Sequence, residues 1–108
     1  MDSKKKPYQV KVSVDAHKDI DDITTYITDD LQNPRAASGF LDDVLKSYDN
    51  VATNPFMYSL CVDERLRRKG YRKIPIKNYL IFYRVNRTGK IVWIVRVLYS
   101  ARDYSNLL

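Results

Sequence analysis

Tyr71-Arg-Lys-Ile-Pro-Ile76, Lys77-Asn78, Tyr79-Leu-Ile-Phe-Tyr-Arg-Val85, Asn86-Arg-Thr-Gly89 and Lys90-Ile-Val-Trp-Ile-Val-Arg-Val-Leu-Tyr99 follow one another without a gap. The three longer runs are rich in β-branched and aromatic residues, and the two short polar runs carry Asn, Thr and Gly, so the stretch predicts three strands joined by tight turns. Connections this short allow only antiparallel neighbours.

Upstream of this stretch the period changes twice. Tyr8, Val10, Val12 and Val14 alternate with Gln9, Lys11 and Ser13, the pattern of a half-buried strand. Ala16, Ile20, Ile23, Ile27 and Leu31 then recur at spacings of three and four, which predicts an amphipathic helix with its aspartates on the opposite face. Ser13 or Asp15 is suited to cap it, and Asp19, Asp21 and Asp22 lie near its positive end. Asn33-Pro34 ends this helix and starts a second, which runs to about Thr53 on Ala37, Phe40, Leu41, Val44, Leu45, Tyr48, Val51 and Ala52. The short break predicts an antiparallel helical hairpin. Gly39, costly inside a helix, predicts a close approach to the first helix or to the sheet. Asn54-Pro55 stops the second helix, and residues 56–70 show no clear period, so they read as a connection packed by Phe56, Met57 and Tyr58. Leu107 and Leu108 are expected to dock the short C-terminal tail. The fold class is therefore α+β in the order β-α-α-β-β-β, a twisted, mainly antiparallel sheet with a helical hairpin packed on one face.

Composition narrows the function classes. A chain of 108 residues, 44% of them hydrophobic, supports one domain spanning 1–108, with residues 1–6 expected to be disordered. One cysteine, Cys61, excludes an intrachain disulfide, and with His17 as the one histidine a tetrahedral zinc site lacks ligands. No metal or other cofactor is expected. The longest apolar stretch, Ile91 to Val95, is far too short to span a bilayer and no signal peptide precedes the charged start, so a cytoplasmic protein with no membrane partner is expected.

The net charge of +6 is unevenly spread. Residues 15–53 hold nine aspartates against three cations, whereas residues 54–108 hold twelve cations against three carboxylates. With the acidic segment helical and the basic one mostly strand, the folded molecule should be electrically two-sided, its basic face suited to nucleic acid or to an acidic protein segment.

The run from Gly70 to Val85 fits the pattern YR-x-x-P-x-x-x-Y-x-I-x-Y-x-V, and Ile94 to Asp103 fits I-x-R-V-x-x-x-x-R-D. Both resemble the C-terminal half of the RelE/ParE superfamily of small bacterial toxins, and the element order agrees with that family along nearly the whole chain. The resemblance implies the toxin component of a type II toxin–antitoxin pair, with a cognate protein antitoxin as partner. In the RelE branch it implies an mRNA endonuclease acting on the ribosome without metal. In the ParE branch it implies a non-enzymatic inhibitor of DNA gyrase. A non-toxic family member acting as a binding module is the third reading. The RelE-like reading is taken first.

Under that reading, RNA cleavage by the 2′-hydroxyl needs a base, a cation for the phosphorane and an acid for the leaving oxygen. A two-histidine nuclease is excluded by composition. The resemblance places Arg72 or Lys73 where the family has strand lysines and Tyr104 near the terminal tyrosine, and puts Leu80 and Ser100 where RelE toxins have arginines, with Arg102 close to the second. Arg72, Lys73, Arg102 and Tyr104 are therefore the candidate catalytic residues. Arg65, Arg67, Arg68 and Lys69, the densest cationic segment, together with Lys77, Arg84, Arg96 and Tyr99, are candidates for binding RNA phosphate or the antitoxin. Arg84 and Arg96 lie inside apolar strands, which requires either a binding role or an internal ion pair, for instance with Asp103.

Overall fold

The computed structural model describes residues 6–104 and 106–108. Strand β1 (Gln9–Val12) leads into helix α1 (Val14–Thr25), then helix α2 (Pro34–Thr53), a five-residue helix α3 (Glu64–Arg68), and strands β2 (Arg72–Ile76), β3 (Tyr79–Asn86) and β4 (Ile91–Tyr99). The sheet order is β1-β4-β3-β2, with β1 parallel to β4 and the other pairs antiparallel. The expected α+β order and mainly antiparallel sheet are present.

Alternation on the strands divides the apolar residues between two faces. Ile74, Ile76, Ile81, Tyr83, Val92, Ile94 and Val97 pack against Ala16, Ile27, Ala37, Phe40, Val44 and Val51 of the two long helices. Phe82 and Leu98 point the other way, onto Cys61, Leu66 and Tyr71, with Tyr104, Leu107 and Leu108 closing over them. The C-terminal leucines dock as expected. Residues 56–70, in contrast, are more than a connection. Asp63 caps α3 by accepting from the Leu66 N–H, and Arg68 pairs with Glu64 one turn away. Gly70, at φ +83°, ends the helix, with the Gly70 N–H donating to the Arg67 carbonyl and the Tyr71 N–H to that of Leu66. These are the paired bonds of a Schellman closure, and the Leu66–Tyr71 contact that accompanies it roots the second core.

The junction between β1 and α1 decides how the helices meet the sheet. Val14 begins the helix rather than ending the strand, and is 84% exposed. Ser13 makes the transition: its hydroxyl accepts from the Ala16 N–H and donates to the Val95 carbonyl, while its own N–H donates to Ile94. Val95 is the extra residue of a β-bulge, since Phe82 pairs with Arg96 and Tyr83 with Ile94. Beyond the end of β1 the free edge of β4 meets α1. There Asp19 accepts from the Val97 N–H at 2.9 Å and from Arg96 Nε and a terminal guanidinium nitrogen at 2.7 and 2.9 Å. Arg96 thus pairs with Asp19 rather than Asp103, and the carboxylate hydrogen bond raises its pKa.

Three further expectations are revised. The end of the first helix winds as a π-turn, Tyr26–Asp30, closed by the Leu31 N–H on the Tyr26 carbonyl. The extra residue rotates Leu31 off the apolar face, leaving it 55% exposed. Gly39 makes no close approach: a methyl there would meet Lys77 Nζ at 3.7 Å, an ordinary contact. Lys6, expected in a disordered terminus, donates to Asp49 at 2.8 Å, while residues 1–5 lie outside those described.

Asp19→Ala strands a largely buried guanidinium and an edge N–H together, and is expected to cost about 3 kcal/mol in urea unfolding. Gly39→Ala should raise stability by about 1 kcal/mol in the same measurement. Burial pushes the hydroxyls of Tyr48 and Tyr83 up to about 12 from 10.0, so the folded state keeps protons that the unfolded chain has lost. Stability from these groups is complete below about pH 10 and lost as pH rises through about 12, each contributing a loss on the order of 1 kcal/mol by pH 11. Tyr48→Phe should flatten that decline in urea midpoints at pH 8 and 11. It should cost little at neutral pH, because the buried Tyr48 hydroxyl has no hydrogen-bond partner among the described residues.

Candidate functional site

The face of the sheet opposite the long helices is only partly covered. Toward the β3–β4 turn it opens into a cleft of about 530 Å³ lined by Tyr71, Arg84, Asn86, Arg87, Trp93 and Val95, with Ser13 at its side. Strand register builds it. Lys11, Trp93 and Arg84 are direct partners across β1, β4 and β3, so their side chains stand in a row on one face. The Lys11 ammonium lies 5.7 Å from the Trp93 ring centre and the Arg84 guanidinium 5.3 Å from that of Tyr71. Arg87, in the turn, lies 4.5 Å from the Phe56 ring. No carboxylate lines the cleft, and among the described residues Lys11, Arg84 and Arg87 have no carboxylate partner.

The four candidate catalytic residues are distributed over different surroundings. Arg72 and Lys73 are consecutive on β2 and so face opposite sides of the sheet. Arg72 lies on the helix side, donating to the Tyr58 carbonyl at 2.6 Å and standing 5.1 Å from the Phe56 ring centre. Lys73 pairs in register with Phe82 on the second face, and the ring of Tyr104 packs on Phe82 at 4.8 Å. Lys73 and Tyr104 therefore share one neighbourhood. Nearby, burial pushes the Cys61 thiol up while the Lys73 charge draws it down. Arg102 is exposed in the turn after β4, its N–H on the Tyr99 carbonyl. Among the described residues no hydrogen bond joins any two of these four.

The candidate binding residues divide in the same way. Arg65, Arg67 and Arg68 lie on α3 with Lys69 as its C-cap, and Arg68 is held by Glu64. Lys77, at φ +53°, forms the β2–β3 turn beside Ile27, Ala36 and Phe40 on the helix side. Tyr99 stacks edge-on against Tyr79 at 5.8 Å, half-exposed, at the end of the sheet that faces Tyr26 and Leu31. Arg96 is committed to Asp19, and of the eight only Arg84 lines the cleft. Sequence reasoning missed Lys11, Arg87 and Trp93. Trp93 was readable as an outward residue from its alternation with Val92 and Ile94, but its neighbours depend on the parallel β1–β4 pairing, which no local pattern announces.

Among the described residues no group of three or more His, Cys, Asp or Glu side chains is placed to hold a metal ion, and no helix is long and apolar enough to cross a membrane.

Solved structures share this architecture. The chromosomal ParDE toxin–antitoxin system from P. aeruginosa contains a chain 18% identical to this one, with a TM-score of 0.68 over 88% of this chain and 98% of that one. A chain of the RelBE2 toxin–antitoxin complex from Mycobacterium tuberculosis is 19% identical, with a TM-score of 0.60 over 86% of this chain and 98% of the other. A chain of the archaeal RelE-RelB complex from Pyrococcus horikoshii OT3 is 17% identical, with a TM-score of 0.58 over 89% and 98%. No curated protein matches the chain in sequence. The family model described as the ParE toxin of the type II toxin–antitoxin system parDE matches residues 10–104, from β1 to the aromatic residue that closes the second core. With the match running through every element of the fold, the chain belongs to the ParE toxin family of type II toxin–antitoxin systems.

Proposed function

We propose that this toxin is held inactive in the cytoplasm by its own protein antitoxin and, when released, disables DNA gyrase by binding it, with no active site of its own. The dispersal of the candidate catalytic side chains carries this reading. General acid–base chemistry needs its groups within about 3 Å of the protons they move, directly or through one water. Here Arg72 is spent on the Tyr58 carbonyl on the helix side and Arg102 lies in an exposed turn. The ParE family match supports the gyrase branch of the resemblance over the RelE branch. An antitoxin partner is supported by the similar chains, whose structures are a ParDE system and two toxin–antitoxin complexes. The uneven charge adds to this, since a surface rich in unpaired cations attracts an acidic partner.

One observation favours a second reading, ribosome-dependent RNA cleavage: Lys73 and Tyr104 stand together around Phe82. Induced expression in bacteria, primer extension on cellular messages and a supercoiling assay on the purified protein separate the two. The expected result is inhibited supercoiling with intact messages, relieved by co-expression of the neighbouring antitoxin gene. Codon-positioned cuts that disappear in Lys73→Ala, with gyrase unaffected, would overturn the proposal in favour of the nuclease.

A further inference from the structure

At the end of the sheet away from the β3–β4 turn, Tyr79 and Tyr99 are direct partners across β3 and β4, and their rings meet at 67° with centres 5.8 Å apart. They form two walls of a corner rather than a stack. Tyr26 and Leu31, from the two ends of the π-turn, supply a third side, and together with Asn78 these residues line a hollow of about 420 Å³. Burial pushes the Tyr79 hydroxyl up and the hydroxyls of Tyr26 and Tyr99 raise it further, so the three phenol oxygens lie within electrostatic reach of one another. None of the three has a hydrogen-bond partner among the described residues. Packing does not account for this arrangement. The π-turn takes Leu31 off the apolar face, and Tyr26, Leu31 and Tyr99 are 47%, 55% and 50% exposed. Single π-turns are frequent at functional sites, and an exposed apolar cluster of this kind marks a contact surface.

The chain's treatment of its other exposed rings identifies what this corner lacks. Phe56 and Trp93 each carry cations of the chain's own: Arg72 and Arg87 lie 5.1 and 4.5 Å from the Phe56 ring centre, and Lys11 lies 5.7 Å from that of Trp93. No lysine or arginine among the described residues stands over Tyr26, Tyr79 or Tyr99. Ring faces attract cations, the more so where water is partly excluded. Local charge favours the same occupant. Asp29 and Asp30 sit on the π-turn between Tyr26 and Leu31, exposed and without a cation partner among the described residues. Lys77 belongs to the adjoining hollow, where its Nζ lies beside Gly39, with Leu31, Asn78 and Tyr79 as the shared wall. The whole helical segment, residues 15–53, is acidic.

A cation bearing N–H groups meets both needs of the corner, its charge held by the ring faces and its donors by the phenol oxygens. A planar guanidinium does so best, because it stacks on a ring while its edge donates. The half-open rim favours a side chain carried by a protein segment over a free ion, since a segment also covers Tyr26, Leu31 and Tyr99. We propose that the hollow walled by Tyr26, Tyr79 and Tyr99 receives an arginine side chain from a basic protein segment. This goes beyond the gyrase reading and does not rest on it, because it follows from the geometry and charge of the hollow alone.

A blocked leucine-arginine-leucine peptide is titrated into the full-length protein and followed by NMR of the backbone amides. Three controls run beside it: the same peptide with citrulline for arginine, which keeps the shape without the charge, the same peptide with glutamate, and guanidinium chloride. The expected result is saturable shifts confined to residues 26–31, 78–79 and 99, with the arginine peptide binding roughly tenfold tighter than the citrulline peptide. Tyr26→Leu and Tyr99→Leu should each remove most of that preference, whereas Tyr99→Phe, which keeps a ring, should retain most of it. Thermal melts confirm that each variant is folded; should Tyr99→Leu melt early, Tyr26→Leu carries the test with Asp30→Asn, which should weaken arginine binding and leave citrulline binding unchanged. Equal affinity for the arginine and citrulline peptides overturns the proposal. So does a preference that survives in the folded leucine variants. Tighter binding of the glutamate peptide overturns it in favour of an acidic segment drawn to Lys77, and guanidinium ion binding as tightly as the arginine peptide overturns the protein segment as the source of the cation.

Discussion

Asp19 holds the molecule's two halves together. Its carboxylate takes two hydrogen bonds from Arg96 and one from the backbone N–H of Val97, so a single side chain on α1 satisfies a strand cation and an exposed strand edge together. Without it, β4 would present an unpaired N–H and a nearly buried charge where β1 has already ended. Such an edge invites pairing with another chain. The Val95 bulge and the Ser13 cap belong to the same arrangement: the extra residue turns a carbonyl toward Ser13, and Ser13 fixes where the helix begins.

Most of the architecture was legible because it is local. Strands β2 to β4 are separated by turns that permit one arrangement, and Asn33-Pro34 marks the helical hairpin in two residues. What was missed lay where structure is either very short or non-local. Five residues of α3 carry too few apolar positions to show a period, though Asp63 and Gly70 stand at its two ends as cap and stop. Leu31 followed helical spacing in the sequence and left the apolar face because the backbone took on a π-turn, an event that spacing cannot foresee. An internal ion pair was one of two readings of Arg96 and Asp103 the partner suggested for it, but the carboxylate it meets lies 77 residues away.

The site was less legible than the fold for a related reason. A row such as Lys11, Trp93 and Arg84 exists only once three strands are in register, and two of those strands lie at opposite ends of the chain. Family patterns pointed instead at residues near one another in sequence, and the pleat then separated Arg72 from Lys73 by turning them to opposite faces. Charge was the more reliable guide. The aspartates do gather on the long helices, and cations such as Lys11 and Arg84 do stand on the far side of the sheet, although α3 and the C-terminal tail cover part of that face.

The parallel pairing of β1 with β4 also bears on how the protein comes into being. Gln9 meets Ile91, so the first strand to be synthesised waits for the last before it has a neighbour. Until then β1 has no strand to pair with and the apolar face of the helical hairpin lacks β4 beneath it, and closing so long a loop is among the slower steps available to a small domain. A growing chain on the ribosome can therefore form its helices and the β2–β3 pair early but cannot join β1 to the sheet until β4 has been made.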